Sequence, residues 1–343
     1  MTTLVTGATG FLGSHVARQL VTAGDSVHVL VRSTSNLQSL DGLDALRVVG
    51  DLRDRESLER AMKGVRRVFH VAADYRLWTT NPSEIYEANV DGTRLILEVA
   101  AQAGVDRFVY TSTVATIAVT GDSEELPSER THATLGQMIG HYKRSKFMAE
   151  MEAVKAAASG VPVVIVNPTA PVGPGDWKPT PTGRIIVDFL NGKMPAYVDT
   201  GLNLVAVEDC AAGHLLAAEK GRVGERYILG ARNMTLKQIL DALAVISGRP
   251  APRIRLPHAV ALAAGYADEF FSRIVGREPR IPIEGVKMSR HRMFVRSDKA
   301  ERELGYRPGA IEPALARAVR WYGERGYLHG SAGTKPVAHA QAA

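Results

Sequence analysis

Eight residues near the start of the chain, Thr6-Gly7-Ala8-Thr9-Gly10-Phe11-Leu12-Gly13, constrain the fold more than any other segment. They follow a short apolar run, Thr3–Thr6, and open an amphipathic stretch, Leu12–Ala23. Glycines spaced in this way suit a strand–turn–helix corner where the backbone must come close to something else. Gly7 permits a tight turn, Gly10 lets the main chain approach a pyrophosphate, and Gly13 allows close helix–sheet packing. The helix that follows offers free N–H groups and a positive dipole end to phosphate. Glycines also serve ordinary turns, so the triplet takes its weight from its position at the head of a βα series.

That series continues. Apolar runs at Val27–Arg32, Ala45–Val49, Arg67–Val71, Arg107–Ser112 and Val161–Asn167 read as strands, with Ser57–Met62, Ser83–Ala103 and Tyr142–Ala158 as helices between them. Buried strands separated by helices predict an α/β fold, a Rossmann-type doubly wound parallel sheet covered on both faces. After Pro168, prolines and glycines crowd the span from Pro171 to Gly183, which reads as a loop. A helix at Arg184–Asn191, a strand at Leu204–Val207 and a helix at Asp209–Lys220 follow, and Arg226–Leu229 returns a last strand to the main sheet. Residues 1–170 with about 204–232 are expected to form the dinucleotide-binding domain. Residues 171–203 with about 233–329 form a smaller, mainly helical substrate-binding cap, and residues 330–343 a disordered tail.

Composition narrows the function classes. One cysteine, Cys210, excludes an internal disulfide framework and a multi-cysteine zinc site, and no metal is expected. No secretory signal precedes Thr3, and the longest apolar stretch, Leu256–Phe271, is interrupted by His258, Asp268 and Glu269. A cytoplasmic protein is expected. The net charge of +6 suits an anionic ligand. Basic residues gather from Lys287 to Arg307 without a zinc knuckle, an RNP-type aromatic motif or helix-turn-helix spacing, so a solvated face is expected there and nucleic acid is not.

The end of the second strand bears on which dinucleotide binds. An NAD site usually carries an acid about 20 residues beyond the glycines, on the ribose 2′-OH. Here Val31 is followed by Arg32, whose guanidinium can pair with a 2′-phosphate; the bland alternative is a solvated strand end. NADP(H) is therefore favoured, with NAD(H) admissible. After the third strand, Asp51 could accept from the adenine amino group while Leu52 packs on the ring, or Asp51 could cap the next helix.

Tyr142 and Lys146 stand four apart at the start of a helix, which puts them on one face. An ammonium about 5 Å from a phenol, at an effective dielectric of about 20, favours phenolate by roughly 3 kcal/mol. That is about two pKa units, enough to turn a poor base into a usable one. The fifth strand ends in Thr111-Ser112-Thr113, hydroxyls that alternate faces at the edge where ligands bind in open parallel sheets.

Together these residues resemble the extended short-chain dehydrogenase/reductases, in the NAD-dependent epimerase/dehydratase superfamily. The matching segments are TGATGFLG, GDL, HVAA at His70–Ala73, NVDGT at Asn89–Thr93, the Thr111–Thr113 cluster, YKRSK, NPTAPVGP at Asn167–Pro174, VEDCAAGH at Val207–His214 and ERELGYRP near the C-terminus. The chain looks nearest to the hopanoid-associated sugar epimerase subfamily, through HVAADYRLW, IGHYKRSKF and PTPTGRIIVDFLNGKMPAYVDTGLNLV. Dihydroflavonol 4-reductases and 3β-hydroxysteroid dehydrogenases are more distant relatives.

The resemblance implies that Tyr142 is the general acid/base, and that Lys146 holds the nicotinamide ribose and depresses the phenol pKa. Thr113 matches a catalytic hydroxyl that is usually serine, Ser112 matches the residue before it, and Asn89 supports the site. The dinucleotide is expected against Gly7, Thr9, Gly10, Phe11, Leu12 and Gly13, against Arg32, Asp51 and Leu52, and against Ala72, Ala73 and Thr111. Tyr142 and Lys146 also contact it, and Pro168 and Thr169 lie beside the nicotinamide. Substrate candidates are Tyr75, Trp78, Trp177, Arg184, Tyr197 and Asn203, although ordinary packing also accounts for Trp78, Trp177 and Tyr197. A homodimer acting on a small or lipid-like substrate is implied.

Sugar dehydratases of this superfamily carry an Asp-Glu pair beside the catalytic hydroxyl; Val114-Ala115 stands there instead. With Arg32 and a reductase-like NPTAPVGP, the expectation is an NADP(H)-dependent ketone/alcohol oxidoreductase. A sugar epimerase in hopanoid lipid biosynthesis is the alternative, and a non-catalytic dinucleotide sensor a third. The stretch Leu256–Ile274 is read as a cap helix that leaves room for peripheral membrane contact.

Overall fold

Two neighbouring residues of the first strand set the layering. In the computed structural model, which describes residues 1–118, 125–279 and 281–328, Leu4 and Val5 of β1 (Thr2–Thr6) are both fully buried, in different cores. Successive strand residues point to opposite faces, so each face of the sheet needs its own helices. Leu4 packs with α2 (Arg55–Met62), α4 (Gly92–Ala103) and α5 (Gly140–Ala158). Val5 packs with α1 (Phe11–Thr22), α7 (Val207–Lys220) and α11 (Asp298–Leu304).

The main sheet adds β2 (Ser26–Val31), β3 (Leu46–Val49), β4 (Arg67–His70), β5 (Arg107–Thr111), β6 (Val163–Pro168) and β10 (Arg226–Leu229). Its order is β3-β2-β1-β4-β5-β6-β10, parallel throughout. All six residues of β6 are buried, as a strand covered on both faces requires. The winding reverses between β1 and β4, and the crevice at that switch point is where such sheets bind ligands.

A third core lies beyond the sheet's C-terminal edge. It gathers β7 (Ala170–Val172), β9 (Gly201–Ala206) and β11 (Arg232–Thr235), which form a small sheet, with α6 (Pro181–Leu190), α8 (Leu236–Ser247) and α12 (Ile311–Glu324). The parallel pair β8 (Ala196–Val198) and β12 (Ile254–Leu256) follows, with β8 packed on this core, and then helices α9 (His258–Val275) and α10 (Ile283–Met288). His15 on α1 fastens this part down through the Pro174 carbonyl, 2.9 Å away.

Three local expectations are corrected. β7 lies in the Pro/Gly span read as a loop, because pairing with β9 satisfies its backbone. The strand read as Leu204–Val207 runs from Gly201 to Ala206 and belongs to the small sheet, and Val207 already begins α7. The helix read from Leu256 starts at His258, since Leu256 ends β12. The span 330–343 lies outside the described residues. Cations between Lys287 and Arg307 are paired with acids: Arg292 with Asp199 at 2.9 Å, Arg302 with Glu303 at 3.0 Å and Lys299 with Glu225 at 2.6 Å. Among the described residues no helix is long and apolar enough to cross a membrane, and no acid, histidine or cysteine cluster could hold a metal.

Candidate active site

The glycine turn has the geometry that its residue types require. Gly7 has φ +73°, and a side chain there would collide with the Ala72 backbone, 2.6 Å from its Cβ. A Cβ on Gly13 would stand 2.1 Å from the Gly7 carbonyl oxygen, so this glycine packs the helix against the turn itself. Gly10 is exposed at the mouth, and its N–H donates to Gly7 O at 2.9 Å. No side chain caps α1. Its first N–H groups therefore meet the crevice, a cradle that fits a pyrophosphate. Ser39 donates to the Thr9 carbonyl at 2.8 Å, and the Ala72 N–H donates to the Thr6 hydroxyl at 3.3 Å, binding the flanking loops to the turn. Phe11 and Leu12 are half-buried, Phe11 edge-on to His15 and Leu12 against the core.

At the far end of the crevice Arg32 is exposed just past β2. Asp51 does not cap α2; Asp54 does, accepting from Glu56 N at 3.1 Å. Asp51 is instead held by Arg53, through Nε at 3.0 Å and the backbone N–H at 2.9 Å. The Arg53 guanidinium holds the Asp51 carboxyl below its ordinary range, burial opposing, with Arg32 adding a smaller pull. Two cations thus flank this end where the sequence reading named one. Leu52 packs across Gly92, and a Cβ on that glycine would meet the Leu52 Cβ at 3.1 Å.

Tyr142, Lys146 and Thr113 converge where β5 meets α5. The Thr113 side chain faces the Tyr142 phenol. Burial holds that phenol above its ordinary pKa, and Thr113 pulls it part of the way back. The expected depression by Lys146 is corrected for this state. The Lys146 ammonium is directed instead to the Tyr110 hydroxyl at 3.1 Å and the Thr111 carbonyl at 2.8 Å, and burial sets the direction of the Tyr142 shift. Burial also brings Lys146 down to about 7, with Glu150 opposing.

Thr111 gives its carbonyl to Lys146, while its hydroxyl lies 3.1 Å from His214 Nε2. Pro168 is buried at the end of β6, and the Thr169 hydroxyl and N–H both donate to Leu229 O, at 3.3 and 3.2 Å. Asn89 lies in a single π-helical turn, Glu87–Asp91, between α3 (Ser83–Tyr86) and α4. Such turns recur at functional sites because they redirect one side chain. The Asn89 amide donates to Asp74 O at 2.8 Å and to Ser145 Oγ at 2.9 Å, and its Oδ1 accepts from Asp74 N at 2.7 Å. It therefore clasps the loop after Ala73 to the helix that carries Tyr142.

The substrate candidates divide. Tyr75 is exposed and lies within electrostatic reach of Asp176, Arg184 and Tyr142, which brings α6 to the same crevice. Trp78 is half-buried on the same loop. The Trp177 ring packs edge-on to Trp321 at 5.1 Å with Arg325 over it at 4.8 Å, so packing accounts for it. Tyr197 packs on the third core. The Asn203 side chain is spent on Asn233 at 2.9 Å and the Ala231 N–H at 3.0 Å, holding the small sheet together. The sequence reading did not single out Tyr110, Asn167 or Glu150, all buried, although Glu150 follows Lys146 at the same spacing that links Lys146 to Tyr142.

A parallel sheet whose switch-point crevice pairs a phosphate-ready turn with a Tyr/Lys/Thr cluster defines an NAD(P)-dependent enzyme of the oxidoreductase/epimerase type. The chain belongs to the NAD dependent epimerase/dehydratase family, whose model matches residues 3–230. It is 46% identical over 328 residues, 94% of this chain and 95% of the other, to "Putative dihydroflavonol 4-reductase" of Synechocystis sp.. It is 37% identical over 333 residues, 96% and 100% of the two chains, to sterol demethylase protein B of Methylococcus capsulatus. The crystal structure of gox2253 superposes with a TM-score of 0.85 at 44% identity, covering 96% of this chain and 99% of that one.

Proposed function

We propose that this enzyme is an NADP(H)-linked oxidoreductase that interconverts a ketone and a secondary alcohol on a polycyclic or lipid-like substrate. The observation that carries the reading is the Tyr142 phenol facing Thr113 beside buried Lys146, on a crevice where the second strand ends in Arg32 and not in an acid. The likeness to proteins named a dihydroflavonol 4-reductase and sterol demethylase protein B supports this reading.

The bound nicotinamide supplies or takes up the hydride. The residues of the chain manage the proton. Burial keeps the Tyr142 phenol protonated, so its Oη can donate to a carbonyl oxygen lying between it and the Thr113 hydroxyl. Lys146, fixed by the Tyr110 hydroxyl and the Thr111 carbonyl, is placed to hold the nicotinamide ribose on the face of α5 that carries Tyr142. Asn89 keeps α5 against the loop of Tyr75, which with Arg184 borders the substrate side. A homodimer is the proposed working form, and the exposed apolar face of α9, with Phe270 and Phe271, is the proposed contact with a membrane surface.

The alternative is a sugar epimerase, which returns the hydride to the opposite face and needs no exchange of cofactor. Protein purified without added dinucleotide, then given NADPH deuterated on the nicotinamide ring, distinguishes them. Stoichiometric label in the product and little dinucleotide retained on purification are expected. Tightly retained NAD⁺, with product formed and no label transferred, overturns the reductase reading. Turnover of either kind removes the non-catalytic sensor.

A further inference from the structure

Glu150 is the most deeply buried acid among the described residues, 1% exposed, and no part of the mechanism above uses it. It lies one turn beyond Lys146 and two beyond Tyr142, so the three share a face of α5. Its Oε2 accepts from the Ser112 hydroxyl, from the Thr116 hydroxyl at 2.9 Å and from the Asn167 amide at 2.9 Å. Its Oε1 accepts from the Arg226 guanidinium at 3.2 Å, reaching across from the edge strand β10.

A buried carboxylate is costly unless donors surround it. Here the donors bracket one residue. Ser112 precedes Thr113, Thr116 follows it by one short turn, and the Asn167 amide also donates to the Thr113 carbonyl at 3.1 Å. The Thr116 hydroxyl lies 2.8 Å from that same carbonyl. The Ser112 side chain is thereby drawn to the interior, which leaves the Thr113 hydroxyl to meet Tyr142. We propose that Glu150 is a positioning residue, a buried carboxylate that fixes the Thr113 backbone so that its hydroxyl stays on the Tyr142 phenol.

The inference rests on Thr113 being the hydroxyl that works with Tyr142, and a double-mutant cycle separates the two claims. With NADPH and the tricyclic diketone phenanthrenequinone as probe, Glu150→Gln should lower kcat by about 30-fold and leave KM for NADPH within about 3-fold, since a displaced reacting group costs rate more than binding. In a Thr113→Val background the same change should cost less than about 3-fold. Equal losses in both backgrounds overturn the role of Glu150. Wild-type turnover by Thr113→Val alone overturns the hydroxyl reading instead. Amide hydrogen exchange on the NADPH complex decides the matter without turnover: the segment Thr113–Ile117 should exchange about 10-fold faster in Glu150→Gln while β6 is unchanged, and unaltered protection there refutes the proposal. Thr116→Val, which removes one donor at nearly constant volume, should show the same pattern more weakly if Glu150→Gln does not fold.

Discussion

The Lys146 ammonium donates to the hydroxyl of Tyr110 at 3.1 Å, and both side chains are buried in the sheet's second core layer. Thr93, next to Tyr110, is bonded to His70 and His70 to Thr6, beside the glycine turn. Tyr110→Phe takes away one of the two anchors of a buried cation. A lost hydrogen bond to a charged group costs about 1.5–3 kcal/mol. Urea unfolding should show a loss of that order, and an unchanged midpoint would mean that Lys146 does not depend on Tyr110.

The two buried histidines predict acid sensitivity. Burial is the main cause that lowers His70 to about 3 and His214 to about 4, with Lys146 also lowering the first and the Cys210 carbonyl opposing in the second. Both stay neutral in the folded protein while unfolded imidazole gains a proton near 6.5. Stability from this source is complete above that pH and is lost as pH falls toward 4, by on the order of 3 kcal/mol for each histidine. His70→Gln should flatten the dependence of the urea midpoint between pH 7 and 4. A slope equal to wild type would exclude His70 as a contributor.

The catalytic cluster predicts an order of damage. Tyr142→Phe removes only the proton-carrying oxygen, so turnover should fall by about 10²–10⁴-fold with dinucleotide affinity nearly intact. Lys146→Ala should weaken both. Thr113→Val should cost more rate than Ser112→Ala, because Ser112 is turned to Glu150; the reverse order would move the reacting hydroxyl to Ser112. With Lys146 at about 7, NADPH affinity of the free enzyme should fall as pH rises through that value and its charge is lost. Calorimetric titration at pH 6 and 8.5 checks this, and Lys146→Ala should lack the slope.

Cofactor preference should follow Arg32. A guanidinium on a 2′-phosphate adds about 1.5–3 kcal/mol, roughly 10–150-fold in affinity. NADPH should bind tighter than NADH by that margin, and Arg32→Asp should narrow or reverse it. Equal affinities in the wild type would mean that neither Arg32 nor the neighbouring Arg53 reads the phosphate.

The outer face of α9 predicts surface binding. Phe270 and Phe271 are 63% and 59% exposed, with Ile274 and Val275 close by. The protein should float with anionic vesicles, and Phe270→Asp with Phe271→Asp should abolish flotation. Equal flotation of both proteins would remove the membrane contact.

The sequence by itself determined the alternation of strands and helices, the turn at Gly7–Gly13 and the placing of Tyr142 and Lys146 on one face of a helix. Each is a local pattern: burial repeats along a strand or helix, and a glycine is needed wherever the backbone itself is approached. The helix read from Ser83 to Ala103 is likewise continuous, but its π-helical turn at Asn89 has no signature in spacing. Tertiary structure decided the rest. In sequence Asp51 stood between an adenine contact and a helix cap, and only the arrival of Arg53 and the start of α2 behind Asp54 decide against the cap. Trp177 and Asn203 looked free to meet a substrate until Trp321, Arg325 and Asn233 came to them from far along the chain. The phenol of Tyr142 is the sharpest case. Its neighbour four residues on was legible, but the burial that raises the phenol comes from the packing of several distant elements, and desolvation is a property of the whole fold.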